Sequence, residues 1–312
     1  MSYQILVTGG AGYLGSILVP ELLAAGHRVC VLDNVMYGQA SLNHVCHHQN
    51  LSLVNGDVRV EATIKPLLKW ADVVIPLAAY VGAPACDRDP VGARTTNHDA
   101  IIMMLSNLSS EQRILMPTTN SAYGSGDENN YCTEDSPLRP ISTYAIDKVK
   151  IEQALMEHDN AISFRLATVF GMSPRMRIDL LVNDFVHRAV NDRFVVLFES
   201  HFKRNYIHVR DVARVFLHGI DRFETLTGEI FNVGLSDANL SKWELCERIQ
   251  LLQPNFTFLE DELARDPDQR NYIVSNSKIE ATGFKPVHSL DAGIAELIKG
   301  YSLIKNRRYG NA

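Results

Sequence analysis

Short, nearly unbroken apolar runs alternate with amphipathic stretches through the first half of the chain. QILVT (4–8), RVCVLD (28–33), LSLVNGD (51–57), DVVIPLA (72–78), RILMPTT (113–119) and ISFRLATVF (162–170) read as strands. YLGSILVPELLAAGH (13–27) and the stretches 60–70, 97–108 and 142–157 carry helical spacing. Strands that alternate with helices predict a parallel sheet flanked by helices. Runs without polar alternation predict that the sheet is buried on both faces. After Gly171 the pattern loosens. Helices are predicted over 179–191, 211–221, 241–252 and 290–304, and strands over 194–198 and 229–233, punctuated by Pro254, Pro267 and Pro286.

Composition narrows the class. The chain has 312 residues, 46% hydrophobic and 21% charged, the profile of an ordinary soluble domain pair. A formal net charge of -6 argues against a nucleic-acid partner, which calls for a basic face, but leaves room for a small phosphorylated ligand. The five cysteines are odd in number and widely spaced, with no C-x-x-C pair, so reduced thiols are expected and neither disulfides nor zinc. His44, His47 and His48 cluster in a polar stretch without partner ligands, and no metal is expected. The start MSYQILVTGG does not read as a signal peptide and no apolar run approaches a membrane span, so a cytoplasmic protein off the membrane is expected.

TGGAGYLG places Gly9, Gly12 and Gly15 between the first strand and the first helix. Glycines there permit a tight turn, a close approach of backbone to a pyrophosphate, and a helix lying close on the strand. A pyrophosphate then faces the helix N-terminus, with its free N–H groups and positive dipole end. The expected fold is α/β: a Rossmann-type doubly wound parallel sheet with a smaller α/β substrate-binding lobe. Residues 1–170 are expected to form the dinucleotide-binding domain, with segments near 205–235 returning to it, and 171–312 mainly the lobe. Strand two ends in Asp33-Asn34, where an acid accepts hydrogen bonds from the adenosine ribose and repels a 2′-phosphate, which favours NAD over NADP. Asp57, after strand three, is either an adenine contact or a turn residue.

Tyr144 and Lys148 form Y-x-x-x-K, one helical turn apart and on one face. The lysine charge favours phenolate over phenol. Tyr301 and Lys305 repeat the spacing but follow no strand end, and are discounted. TTNSAYG brings Thr119 and Ser121 to the end of a strand, where an open parallel sheet places its ligand. SPRMR puts Arg175 and Arg177 after another strand end, facing either a phosphate or solvent, with solvent the reading taken. The apolar face of AIIMMLSNL is expected to be core or a dimer interface.

With these residues in hand the chain resembles an extended short-chain dehydrogenase/reductase of the NAD-dependent epimerase/dehydratase family, whose members act on nucleotide sugars. TGGAGYLG, LDN, NGDV, PLAA, TTNSAYG, STYAIDK, RLATVFG, RNYIHVRDVA and KIEATGFKP carry the resemblance in family order, over almost the whole chain. It implies Tyr144 as acid or base, Lys148 as partner of the nicotinamide ribose, and Thr119 as partner of the sugar hydroxyl. It implies NAD against Gly9, Gly12, Tyr13, Leu14, Gly15, Asp33, Asn34, Asp57, Val58, Leu77, Ala78, Ala79 and Asn97, besides Tyr144 and Lys148. A nucleoside-diphosphate sugar would lie against Thr119, Asn120, Ser121, Thr168, Asn183 and Arg204, with a second clamp from Arg265 or Arg270. A homodimer is expected by the same resemblance.

Two departures matter. The 4,6-dehydratases of the family follow the catalytic Thr with Asp-Glu, whereas Asn120-Ser121 stand here. Thr168 stands in RLATVFG where the family often has asparagine. The expected activity is oxidation of the hexose at C4 to a 4-keto intermediate followed by return of hydride, a 4-epimerase. The rivals are a 4-dehydrogenase that releases the keto sugar and a non-catalytic NAD-binding regulator.

Overall fold

The structure, a computed structural model, describes residues 1–38, 40–125, 131–261 and 270–304. The strands in chain order are β1 Gln4–Thr8, β2 Arg28–Asp33, β3 Leu51–Asn55, β4 Val73–Pro76, β5 Arg113–Thr119, β6 Tyr131–Cys132, β7 Ala161–Leu166, β8 Thr168–Phe170, β9 Phe194–Phe198, β10 Lys203–His208, β11 Glu229–Val233, β12 Asn239–Ser241, β13 Thr257–Asp261 and β14 Ile273–Val274. The helices used below are α1 Gly15–Ala24, α2 Glu61–Trp70, α3 Ala83–Arg88, α4 Pro90–Arg94, α5 Ala100–Asn107, α6 Thr143–Leu155, α7 Leu181–Asn191 and α8 Val209–Asp221.

Seven strands form one sheet in the order β11-β7-β5-β4-β1-β2-β3, and every pairing is parallel. The chain winds outward from β1 in both directions, the doubly wound Rossmann arrangement. Successive residues of a strand point to opposite faces, and both faces are buried except at the edge strand β3, where Leu53 is exposed. Ile5, Val7, Val29, Val31, Val73, Ile75 and Leu115 join one core, and Leu6, Cys30, Leu32, Val74, Ile114 and Met116 join the other. That two-sided burial is why the strands are continuous apolar runs. No helix among the described residues is long and apolar enough to cross a membrane.

Three local patterns depart from expectation. The run 162–170 is not one strand. Ala167 donates its amide to Val233 O (2.9 Å), and beyond it Thr168 pairs with Tyr206 in the separate sheet β12-β10-β8. Helix 97–108 begins as a widened turn over 95–99 before α5. Strands β6, β10, β12, β13 and β14 were not predicted; in β10, Arg204 and Asn205 break the apolar run although both are buried. From the second half, β11 pairs with β7.

Helix α6 is held to the sheet by a buried ion pair. Glu152 receives Arg165 of β7 at 2.6 Å, with side-chain exposures of 5% and 4%. Thr118 of β5 and Ser163 of β7 donate to its other oxygen at 2.9 and 2.7 Å. Deleting the carboxylate strands a buried guanidinium. Glu152→Ala is therefore expected to cost on the order of 3–5 kcal/mol in urea unfolding. A cost under about 1 kcal/mol would show that the pair does not anchor the helix.

Candidate active site

The sheet order reverses between β1 and β4, and a cleft of about 730 Å³ opens there at the carboxyl ends of the strands. The glycine loop is its floor. Gly9 has φ of 68°, and a Cβ on it would lie 2.5 Å from Ala78 N, so the loop packs directly on the end of β4. A Cβ on Gly15 would lie 2.5 Å from Gly10 Cα, so α1 starts in contact with the loop. Backbone bonds knit the first turn of α1 to the glycine loop, Ser16 N to Gly12 O and Leu18 N to Leu14 O, both at 2.9 Å, and the positive end of the helix dipole suits an anion beside that loop.

Of the residues expected to touch a dinucleotide, Gly9, Gly12, Asp33, Asn34, Asp57, Val58, Leu77, Ala78 and Ala79 line this cleft. The Asp33 carboxylate accepts the amides of Ala11 (2.9 Å) and Val35 (2.8 Å), tying the end of β2 to the glycine loop. Arg59 pairs with Asp57 at 2.6 Å and holds its carboxyl below the usual range. Tyr13 and Leu14 lead into Gly15 at the start of α1. The Tyr13 hydroxyl turns away and donates to Gly171 O at 2.7 Å.

Two asparagines expected to touch ligands do other work. Asn97 binds both polar groups of the Tyr80 backbone at 2.8 Å, fixing the loop after β4. Asn183 is fully buried; it accepts from Gly171 N (3.0 Å) and donates to Arg177 O (2.8 Å) and Tyr13 Oη (3.3 Å). Both amides satisfy loop backbone that no strand or helix pairs, which sequence spacing does not reveal. The discounted Tyr301 is likewise structural: it is buried and donates to Asn183 O at 2.9 Å, while Lys305 lies outside the described residues.

The residues expected to be catalytic sit where α6 meets the end of β5. Ser142 caps α6 by accepting from Ala145 N at 3.3 Å. Tyr144, Lys148 and Glu152 then follow at intervals of four on one stripe. Lys148 donates to Pro117 O of β5 at 3.1 Å, two residues before Thr119. Thr119 accepts from Ser121 N (3.1 Å) and donates to Ser121 Oγ (3.0 Å), and Arg270 donates to the same Ser121 oxygen. Asn120 is completely buried, and neither end of its amide has a partner among the described residues. Thr168 is half-buried on β8, and Arg204 of β10 is buried with its guanidinium 5.6 Å from the Tyr272 ring. Arg265 lies outside the described residues.

Charge in the site adds to the expectation that the lysine charge favours the Tyr144 phenolate. Burial pushes the Tyr144 phenol up to about 12, while the charges of Arg177 and Arg270 pull it back and the Cys86 thiol opposes them. Burial also brings the Lys148 ammonium down to about 8. Arg177 and Arg175 do not face solvent; both are buried, and Arg177 pairs with Asp179 at 2.5 Å. The sequence named both arginines but its solvent reading is overturned, and it gave no sign of Glu152 beyond a spacing of four from Lys148 on the same stripe.

The cleft fits a dinucleotide. Its floor is built of glycine, an acid stands at the end of β2, and Arg175 on its wall has two buried guanidinium nitrogens without a partner among the described residues. Residues 5–234 match the NAD dependent epimerase/dehydratase family. The chain belongs to that family. It is an NAD-dependent enzyme of the extended short-chain dehydrogenase/reductase type. It is similar to the low-salt glycan biosynthesis protein Agl12 of Haloferax volcanii, 26% identical over 96% of this chain and 98% of that protein. It is similar also to UDP-glucuronic acid decarboxylase 1 of Danio rerio, 25% identical over 96% of this chain and 72% of that protein. In fold it superposes on the UDP-glucuronic acid 4-epimerase of Bacillus cereus, solved with UDP-glucuronic acid and NAD. The TM-score is 0.85 at 20% identity, covering 97% of this chain and 100% of that one.

A pH test follows from Lys148. Its pKa is lower folded than unfolded, so below about 8 it is charged in both states and its burial costs stability in full. As pH rises through 8 toward about 10.4, the folded state sheds the proton first and the cost is relieved. Melting curves of the enzyme and of Lys148→Met at pH 7 and 9.5 are expected to shift relatively in favour of the unsubstituted enzyme at the higher pH. A shift the other way would contradict burial as the dominant influence.

Proposed function

We propose that this enzyme is a nucleoside-diphosphate-hexose 4-epimerase. The observation that carries the proposal is the strand-end segment facing the Tyr144–Lys148 stripe. Thr119, Asn120 and Ser121 offer two hydroxyls and an amide there and no carboxyl group, so the segment lacks the acid–base pair that eliminates water in the 4,6-dehydratases.

Tyr144 accepts the proton of the C4 hydroxyl and later returns it. Thr119 and Ser121 hold that oxygen, and the unpartnered Asn120 amide supplies a neighbouring donor and acceptor. Lys148 holds the nicotinamide ribose, and Arg177 and Arg270 lower the cost of the phenolate. When bound, oxidised NAD supplies the hydride acceptor and one further positive charge. With that group bound, a 4-keto sugar that turned its opposite face would take hydride and proton back at C4, and nothing would be oxidised overall. Arg204 takes the substrate diphosphate as a bidentate fork, while Arg270, which donates to Ser121, stands at the reacting end. Exposed Ile102 on α5 and Ile146 on α6 support a homodimer through these two helices. The Bacillus cereus enzyme, a 4-epimerase of the same fold, supports the C4 assignment.

A panel of UDP-, dTDP-, GDP- and CDP-hexoses, followed by NMR, is expected to show conversion of at least one member to its 4-epimer. Tyr144→Phe is expected to slow reduction of bound NAD in a single turnover by at least about 100-fold, the low end for general acid–base groups, with NAD affinity nearly unchanged. A 4-keto-6-deoxy product, or a released ketone without epimer, would replace the 4-epimerase reading. Full-rate reduction by Tyr144→Phe would refute the role of the tyrosine.

A further inference from the structure

We propose that Arg175 is a phosphate clamp of the dinucleotide cleft, the edge formed by its Nε and Nη2 taking oxygens of the NAD pyrophosphate. The proposal rests on the NAD dependence of the enzyme and not on the 4-epimerase reading.

Arg175 is 1% exposed, one of the largest fully buried side chains of the molecule. Only Nη1 is satisfied, donating to Met176 O at 3.1 Å; Nε and Nη2 have no partner among the described residues. Its guanidinium carbon lies 3.8 Å from the centroid of the Tyr37 ring, and both residues line the dinucleotide cleft. That contact covers one face of the guanidinium and leaves the edge for a ligand. The backbone around it is tied to the start of α1. Ser173 Oγ donates to Tyr13 O at 2.7 Å and lies 2.8 Å from Ser16 Oγ, while Arg175 N donates to Ser16 Oγ at 3.4 Å. The arginine is thereby held beside the glycine loop and first helical turn, where a pyrophosphate would meet backbone amides.

A buried guanidinium with open donors is costly, and burial pulls its pKa down. The charges around it are Asp33 and Asp179, which stabilise it, and Arg177, which opposes it. Neither acid is bonded to Nε or Nη2. The group that completes the site is therefore anionic and presents two acceptors to a planar fork, the chemistry of a phosphate. The cleft shared with Gly9, Gly12 and Asp33 assigns that phosphate to the dinucleotide and not to the sugar nucleotide.

Nucleotide-free full-length protein and its Arg175→Met variant are titrated calorimetrically with NAD, ADP-ribose, 2′-AMP, UDP and adenosine. ADP-ribose and NAD are expected to weaken together by roughly 10- to 100-fold, the worth of a desolvated charge-assisted contact, with adenosine unchanged. Nucleotide-free Arg175→Met is expected to melt no lower than the unsubstituted protein, because an unpaired buried charge has been removed. Unchanged ADP-ribose affinity overturns the proposal. So does an equal loss for adenosine, which would make Arg175 a wall of the adenosine pocket. A loss confined to 2′-AMP or to UDP would assign the clamp to another phosphate and also overturn it. If Arg175→Met does not fold, Arg175→Gln gives the same comparison, and an unchanged ratio of ADP-ribose to adenosine affinity in that variant is equally decisive.

Discussion

The active site depends on one buried ion pair, Glu152 of α6 with Arg165 of β7. Glu152 lies two helical turns beyond Tyr144 and one beyond Lys148, so a fixed carboxylate fixes the rotation and height of the whole stripe. Thr118 and Ser163 complete its hydrogen bonding, and Lys148 adds a second tether to β5 at Pro117. The distance between Tyr144 and the strand-end hydroxyls is thus set by buried polar contacts beneath them, where no ligand reaches. A buried pair of this kind is a poor source of net stability but a strict specifier of register, because every shifted arrangement leaves a charge unpaired.

The same burial that fixes the geometry works against the charges. Tyr144 is pushed up and Lys148 down, each toward its neutral form. Relief comes from Arg177, after β8, and Arg270, far along the chain, so the second half of the protein tunes the base displayed by the first. Arg175 and Arg177 lie two residues apart, one on the wall of the glycine-floored cleft and the other acting on the Tyr144 phenol. The SPRMR segment therefore bridges the cofactor and reaction ends of one site.

Strands QILVT, RVCVLD, RILMPTT, FVVLF and EIFNV were legible to the residue, because each is a bounded apolar run. The glycine loop and the Tyr144–Lys148 spacing were legible because they are local. What escaped was non-local. β10 hid behind Arg204 and Asn205, whose burial depends on neighbours elsewhere in the chain. The backbone bonds of Asn97 and Asn183 were not foreseen, because the loop groups they satisfy carry no sequence signal. Arg175 and Arg177 looked like solvent-facing residues after a strand, and only the packing of their segment on the first turn of α1 and on α7 buries them. Polar side chains are the hardest to place from sequence, since water, backbone or ligand can satisfy any of them.

Under the proposed 4-epimerase reading, hydride leaves C4 and returns to the same sugar without release, and an isotope crossover measures this. A nucleoside-diphosphate hexose deuterated at C4 is mixed with the same compound carrying uniform carbon-13 and no deuterium, and the epimerised products are weighed by mass spectrometry. The account predicts deuterium only in the carbon-12 product, at C4. Deuterium in the carbon-13 product, or its loss to free reduced cofactor, would contradict an enclosed transfer on one retained dinucleotide.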